Sequence, residues 1–479
     1  RQVMFAKLPW GIAFFPELKG ALAFDDYGKR IDRNAVVEFF LLQFPMGTKT
    51  FLEGVTLVPP ATIVRFENGG IETRSYWAIN GPRVYESRTP AEWIEGYATR
   101  LARAVRKRVS KPPTVGSTLS GGFDTRLILA ATDRAAPPLH TFTFGEPRSW
   151  DRRFARRAAR ARGTIHHESG PAYEDMVARI DRFVWFTDGM VSCHHGKISA
   201  LFATIREHVD VVLDGLSVAT GPLVLYERGR LDAMTKTPEE EFLGRYFAYR
   251  ASKQPAHLHR LLAEPYASLV AGYPTSEFTR SLGDPDEFPW IRAVRYSWTQ
   301  HIRRFGATGA RYLRTVTEVR QPLCDYDLLD YTLTLPLDVL VDRNFVHDVA
   351  SRLSPELDRV PFSRDGIPGI PSLGEQFRQW RVNQLKNRLG RVTGGRIPRR
   401  DPRVLVDHAV PLAGPFGKRV TSVLIDGRVG DRGILSGARV REIVREHADG
   451  SADHTKLLWT LFGFELWCRQ FFDGERDGI

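Results

Sequence analysis

Short apolar runs and longer amphipathic stretches alternate along the middle of the chain. An apolar residue at every fourth position of 91–109, from Trp93 to Val105, predicts an amphipathic helix. The β-α-β-α-β order that follows predicts a doubly wound parallel sheet, which binds ligands at the carboxyl ends of its strands. The predicted strands are the segment before Ser120 and residues 139–144, 164–168 and 209–214; the predicted helices are the segment after Phe123 and residues 151–163 and 201–208.

The first 80 residues follow another pattern, which predicts a small β-rich region with one helix. The helix is expected at 33–44, and two strand-like segments at 62–66 and 71–77 flank the turn residues Asn68-Gly69-Gly70. A polar linker follows at 81–90, and the chain becomes basic and helical beyond residue 376. These shifts predict regions at 1–80, 81–110, 111–380 and 381–479, the last two forming one α/β domain with a helical C-terminal part.

Composition narrows the function classes. Hydrophobic residues make up 42% of the 479 positions, and no apolar run is long enough to span a bilayer, so we expect no membrane partner. No signal peptide is visible, and Cys193, Cys324 and Cys468 are spaced too widely for a disulfide framework or a zinc site, which favours the cytoplasm. The net charge of +12 comes largely from arginines on helical segments, so nucleic acid is not expected as a partner.

The segment Ser120-Gly-Gly-Phe-Asp-Thr125 carries the strongest candidate chemistry. It joins a short buried strand to an apolar helix. Gly121 and Gly122 permit a tight turn and a close approach of a ligand to the backbone. Asp124 and Thr125 fall in the first helical turn, where unpaired N–H groups and the helix dipole favour an anion. The segment is therefore a candidate phosphate cradle, although it lacks the Gly-Lys-Ser/Thr of a Walker A loop; the alternative is an ordinary strand–turn–helix joint.

This segment resembles the pyrophosphate loop of the N-type ATP pyrophosphatases, which cleave ATP to AMP and pyrophosphate. Further segments resemble the glutamine-dependent asparagine synthetases: 51–60 and Tyr76-Trp77 are similar to the end of their glutaminase domain, and 15–19 to an earlier part of it. The resemblance implies an α/β fold of the adenine nucleotide alpha hydrolase type, preceded by a remnant of an N-terminal-nucleophile glutaminase domain. The nucleophilic cysteine of that domain is absent, so we expect no glutamine hydrolysis by the chain as given.

The resemblance also implies site residues. Residues 317–325 look like the family's Glu-x-Arg-x-Pro-Phe-Leu-Asp segment. The glutamate of that segment helps to deprotonate or position the attacking amine, so the resemblance implies this role for Glu318. The alternative is a helix-end glutamate paired with Arg320. Arg364 stands near the position where the family has a lysine that contacts the phosphates. The alternative is a solvated loop arginine. Asp124 and Asp214 are the expected Mg²⁺ ligands, and Ala219 stands where the family has another metal-binding aspartate. The expected ATP and pyrophosphate contacts are Leu119, Ser120, Gly121, Gly122, Phe123, Asp124, Thr125, Phe144 and Gly215.

Taken together, the resemblance implies an ATP-dependent amide ligase that uses ATP and Mg²⁺. A carboxylate, aspartate by default, would be activated as an acyl-adenylate and then attacked by ammonia or an amine. Relatives that activate other carboxylates, such as β-lactam synthetases and lasso-peptide cyclases, remain open. So do a tRNA-modifying ATP pyrophosphatase, a catalytically impaired homologue, and assembly as a homodimer.

Overall fold

The computed structural model describes most of the chain. The described residues are 2–81, 86–109, 114–133, 138–171, 173–216, 255–271, 275–284, 287, 289–336, 339, 343–363, 404–476 and 479. Ala219 and Arg364, both singled out in the sequence, lie outside the described residues.

The N-terminal region is β-rich with one helix, as predicted. Its strands β1, β2 and β3 form an antiparallel sheet in the order β2-β1-β3, and β4 and β5 form a separate hairpin. Asn68 and Gly69 turn the hairpin with φ values of 50° and 76°, the left-handed conformation that such a turn requires. The side chain of Asp32 caps helix α1 by accepting a hydrogen bond from the Ala35 amide. The elements are β1 (Met4–Leu8), β2 (Gly11–Phe15), a 3-10 helix (Leu18–Ala23), α1 (Arg33–Leu42), β3 (Val55–Leu57), β4 (Thr62–Glu67) and β5 (Gly70–Ser75).

The middle of the chain alternates between helices and strands. Serine and glycine set the limits of one helix, α4: Ser149 caps its start, and Gly163 ends it in the left-handed conformation with a φ of 66°. The elements are α2 (Pro90–Val109), β6 (Val115–Thr118), α3 (Phe123–Ala131), β7 (His140–Phe144), α4 (Trp150–Arg162), β8 (Ile165–Ser169), α5 (Tyr173–Ala178), α6 (Ile180–Phe186), a 3-10 helix (Cys193–Leu201), α7 (Phe202–His208) and β9 (Val211–Leu213).

The remaining described elements are almost all helical. They are α8 (Pro255–Leu261), α9 (Tyr266–Ala271), α10 (Thr275–Leu282), α11 (Pro289–Tyr296), a π-helix (Ser297–Gly306), α12 (Thr308–Leu313), β10 (Glu318–Arg320), a 3-10 helix (Pro322–Cys324), α13 (Tyr326–Thr334), α14 (Arg343–Leu353), a 3-10 helix (Pro355–Leu357), α15 (Ala409–Leu412), α16 (Pro415–Ile425), α17 (Arg428–Asp431), α18 (Gly437–Ala448), α19 (Thr455–Cys468) and a π-helix (Arg469–Asp473).

The central sheet has five strands in the order β10-β9-β6-β7-β8, and all its pairs are parallel. From β6 the chain adds β7 and β8 on one side; it then crosses to add β9 and β10 on the other. The direction of winding therefore reverses between β6 and β9, and parallel sheets bind ligands in the crevice at such a point. This confirms the predicted α/β fold.

The N-terminal region and the C-terminal helix α19 share one hydrophobic core. The ring of Phe51 lies 4.8 Å from that of Trp467 and 5.6 Å from that of Phe464, and Phe39 also contacts Phe464. A second core packs α2, α3, α13 and α14 on one face of the sheet. Within the described ranges, no helix is long and apolar enough to cross a membrane.

Candidate active site

The turn between β6 and α3 is closed by hydrogen bonds between Ser120 and Thr125. The Ser120 amide donates to Thr125 Oγ1 over 3.0 Å, and the two hydroxyl oxygens lie 3.1 Å apart. The Gly122 amide donates to Ser120 Oγ over 3.1 Å. Three groups that the sequence assigns to a phosphate therefore hold one another in a compact turn at the amino end of α3.

Gly121 lies between two other parts of the chain. Its amide donates to Asp151 Oδ1 over 2.9 Å, and its carbonyl accepts from the Ser363 amide over 2.9 Å. A Cβ atom at this position would lie 2.6 Å from Ser363 Cβ and 3.2 Å from Asp151 Cα. Because real Cβ atoms do not approach other carbons at 2.6 Å, only glycine fits here without a shift of the neighbouring backbone.

A buried arginine anchors the 360–363 segment to this turn. The Arg126 guanidinium donates to the carbonyls of Val360 and Pro361, each over 2.6 Å, and its Cζ lies 3.8 Å from the ring centre of Phe362. The ring of Phe362 also stacks on that of Phe123, with ring centres 3.8 Å apart. Burial lowers the pKa of Arg126 to about 9. Sequence reasoning missed this residue, although a lone arginine in the apolar stretch after Phe123 was a usable signal.

Asp214 and Gly215 follow β9 and border the turn from the other side of the reversal point. A Cβ atom on Gly215 would lie 2.5 Å from Thr125 Cγ2, so the two loops are in direct contact. The Asp214 amide donates to the Arg320 carbonyl, and its carboxylate accepts from the Leu216 amide over 3.0 Å. Burial raises the pKa of Asp214, because it removes the charged carboxylate from water.

The remaining predicted nucleotide contacts surround the same edge of the sheet. The Leu119 amide donates to the Phe142 carbonyl over 2.8 Å, and its own carbonyl accepts from the Thr143 hydroxyl. Phe144 is the last residue of β7. Asp124 lies in the first turn of α3, where its charge adds to burial in raising the pKa of Tyr97.

Glu318 is not brought to this edge. It is the first residue of β10 and pairs with Val211, the first residue of β9, so it lies at the amino edge of the sheet. Its carboxylate pairs with Arg320 Nε over 2.7 Å, and Arg320 also donates to the carbonyl of Arg108 near the end of α2. The alternative given for Glu318, an ion pair with Arg320, is thus present. The pair lies on strand β10 rather than at a helix end. The family-derived role for Glu318 gains no support from this position.

The described residues also limit how a metal ion could bind. They contain no group of three or more His, Cys, Asp or Glu side chains that could hold an ion alone. Mg²⁺ in nucleotide sites commonly needs only one or two carboxylates, because phosphate oxygens and water supply the rest. Asp124, in the first turn of α3, and Asp214, just after β9, are the carboxylates that would hold such a nucleotide-borne ion.

Comparison with known proteins identifies the family. The asparagine synthase family model matches residues 96–346, just over half of the chain. The chain belongs to the asparagine synthase family. Proteins named "Putative asparagine synthetase (glutamine-hydrolyzing)" in Mycobacterium bovis and Mycobacterium tuberculosis are 25% identical over 473 residues, which covers 92% of this chain and 68% of each relative. The resemblance found in the sequence is confirmed, and this asparagine synthase-family chain is a carbon–nitrogen ligase: at family level, an ATP-dependent amide ligase.

Proposed function

We propose that this enzyme activates a carboxylate substrate with ATP and transfers the acyl group to ammonia or an amine. A carboxylate oxygen attacks the α-phosphorus, the α–β phosphoanhydride bond breaks, and pyrophosphate leaves from an acyl-adenylate. The nitrogen nucleophile then attacks the acyl carbon, and AMP departs with the oxygen that came from the carboxylate. One observation carries the proposal: the Ser120–Thr125 turn lies at the winding reversal of a parallel sheet in a chain of this family.

The turn supplies the pyrophosphate site. Backbone amides at Ser120–Phe123, at the positive end of α3, would hold the β- and γ-phosphate oxygens. The hydroxyls of Ser120 and Thr125 already lie 3.1 Å apart, so both can turn towards one phosphate group. The Gly121 amide would have to exchange Asp151 for a phosphate oxygen, which would then accept its hydrogen bond.

The groups around the turn would complete the nucleotide site. Asp124 and Asp214 would hold Mg²⁺, which offsets the negative charge of the departing pyrophosphate when it is bound. The adenine ring would lie at the carboxyl end of β7 near Phe144. Gly215 would allow close approach because no side chain stands between its backbone and Thr125.

Aspartate is the proposed default acceptor, because the matching family is named for asparagine synthesis. The amine donor is proposed as ammonia or a primary amine. We leave Glu318 out of the proposed machinery, since the length of strand β10 separates it from the turn.

A second candidate is a homologue that binds ATP but turns it over slowly. Two observations favour it: Glu318 is remote from the turn, and an alanine stands at position 219, where the resemblance expects a metal-binding aspartate. This candidate predicts nucleotide binding without acyl transfer.

The test is ATP–pyrophosphate exchange with radiolabelled pyrophosphate, ATP, Mg²⁺ and aspartate. Aspartate-dependent label in ATP is expected for wild type, and loss of the label is expected for Asp124→Ala. ATP binding without exchange, for aspartate and for a panel of other carboxylates, would favour the second candidate. Exchange that is unchanged in Asp124→Ala would contradict the proposed site.

A further inference from the structure

A second cluster of polar side chains lies beside the candidate active site. The 3-10 helix at Cys193–Leu201 packs against β7 and carries His194, His195 and Lys197. The ring of His194 lies 4.2 Å from that of His195 and 5.0 Å from that of His408, which precedes α15. We call these four residues the His–Lys pocket.

Two histidines of the pocket carry a buried ring nitrogen with no partner among the residues that the structure describes. His195 Nε2 and His408 Nδ1 are both buried without a hydrogen-bond partner among the described residues. His194 is paired, since its Nδ1 lies 2.8 Å from Ser192 Oγ. Buried polar atoms are almost always paired in folded proteins, so these two nitrogens are available to a water molecule or a ligand.

Lys197 adds a positive charge that also lacks a direct partner. Within the described part of the chain, no carboxylate lies within ion-pairing distance of its ammonium group. Burial lowers its pKa and the charge of Asp151 raises it, so Asp151 lies within electrostatic reach. Asp151 is the residue that accepts the Gly121 amide. The Glu146 amide, just after β7, donates to the Leu405 carbonyl over 2.9 Å, which places the neighbouring His408 at the same edge of the sheet as the phosphate turn.

Charged groups of both signs surround the pocket. Lys456, at the exposed start of α19, is a second cation that acts on His194 and His408, and His301 faces His195. The negative groups that act on the pocket are Asp151, on the side of the turn, and Asp407, next to His408. Burial holds the pKa of His195 at about 3 and that of His408 at about 4, so both imidazoles are neutral and each can donate one N–H.

We propose that the His–Lys pocket recognises the acceptor substrate, with Lys197 and the imidazole of His195 binding a second acidic group of a dicarboxylate such as aspartate. The inference rests on the proposed function, because it places the acceptor beside the ATP that activates it. The anionic oxygen bound by the pocket could come from the acceptor carboxylate or from a phosphate of the nucleotide. The experiment distinguishes these two sources. Lys197, His195 and His408 would then be specificity-determining residues.

The experiment measures two dissociation constants by calorimetry: that of a non-hydrolysable α,β-methylene ATP analogue, and that of L-aspartate with and without the analogue. The variants are Lys197→Gln, the charge-preserving Lys197→Arg, and the control Lys418→Gln on the exposed face of α16. Lys197→Gln is expected to weaken aspartate binding by about tenfold or more and to leave analogue binding within about twofold of wild type. Lys197→Arg should recover most of the affinity, and Lys418→Gln should change neither constant.

Three results would overturn the inference. An equal loss of analogue and aspartate binding in Lys197→Gln would assign Lys197 to the nucleotide. Unchanged aspartate binding in a folded Lys197→Gln protein would remove it from acceptor recognition. Wild-type protein that binds the analogue but none of aspartate, glutamate and succinate would exclude a dicarboxylate site while leaving adenylation intact. Aspartate binding that depends on Lys197 in a wild-type protein unable to bind the analogue would instead support the pocket and remove the proposed function.

Discussion

Asp151 Oδ1 accepts a hydrogen bond from the backbone amide of Gly121 over 2.9 Å. The carboxylate thus occupies a donor that a phosphate oxygen of ATP would need. Asp151 comes from the first turn of α4, thirty residues further along the chain. The turn is therefore already folded around an anion of the protein itself, and ATP has to compete with that anion.

Asp151→Asn should strengthen the binding of metal-free ATP. The amide oxygen of asparagine can still accept from Gly121, but the negative charge beside the phosphates is lost. We expect an improvement of several-fold, about 1 kcal/mol, because the site is partly exposed to solvent and salt. Titration calorimetry in a metal chelator measures it. The control is Asp210→Asn, since Asp210 accepts the Thr114 amide over 3.0 Å at the opposite edge of the sheet. Weaker binding in Asp151→Asn alone would show that the carboxylate assists the nucleotide.

Gly121→Ala should damage the turn. The added Cβ would lie 2.6 Å from Ser363 Cβ, so the turn and the 360–363 segment must separate. Overpacking of this kind costs about 1–3 kcal/mol, and ATP binding should fall by about tenfold or more. Gly309→Ala on α12 is the matched control, because a Cβ there meets no atom within 4 Å. If the two variants bind ATP equally well, Gly121 does not shape the site.

Arg126→Met should destabilise the whole fold. The substitution leaves the carbonyls of Val360 and Pro361 without their donor and removes the contact with Phe362. Losing such buried partners costs about 2–4 kcal/mol. Urea unfolding measures the loss, with Arg160→Met on the exposed face of α4 as the control, expected within about 0.5 kcal/mol of wild type. Equal stability of the two variants would mean that Arg126 anchors nothing.

Glu318→Gln should leave ATP binding and carboxylate-dependent turnover close to wild type. The glutamate lies at the amino edge of the sheet with 58% of its side chain exposed, and its pairing with Arg320 contributes less than about 1 kcal/mol. Asp124→Asn in the same assay should lose turnover. Loss of turnover in Glu318→Gln with normal ATP binding would instead restore the catalytic role that the family resemblance implies.

Local patterns predicted much of the fold. Asn68-Gly69 could be recognised as a hairpin turn because few residues other than asparagine and glycine adopt left-handed conformations easily, and both do so here. Gly163 ended its helix for the same reason. The strand–glycine turn–helix unit at Ser120 could also be predicted from the sequence, because the turn itself requires particular residue types at neighbouring positions.

Contacts between distant parts of the chain could not be predicted in this way. Arg126 meets the carbonyl of Val360, 234 residues away, and no periodicity reports such a pairing. Glu318 was assigned by motif, but its location depends on the direction of β10 within the parallel sheet. The orphaned nitrogens of His195 and His408 likewise emerge only when two separate segments pack together.

The most direct test of the central claim follows the oxygen of the carboxylate. Wild-type protein is incubated with ATP, Mg²⁺, ammonium and aspartate labelled with oxygen-18 in its carboxylates, and the nucleotide product is analysed by mass spectrometry. Attack on the α-phosphorus predicts AMP that carries one labelled oxygen, in amounts equal to pyrophosphate, and no such product from Asp124→Ala. Unlabelled AMP, or ADP in place of AMP, would contradict the account.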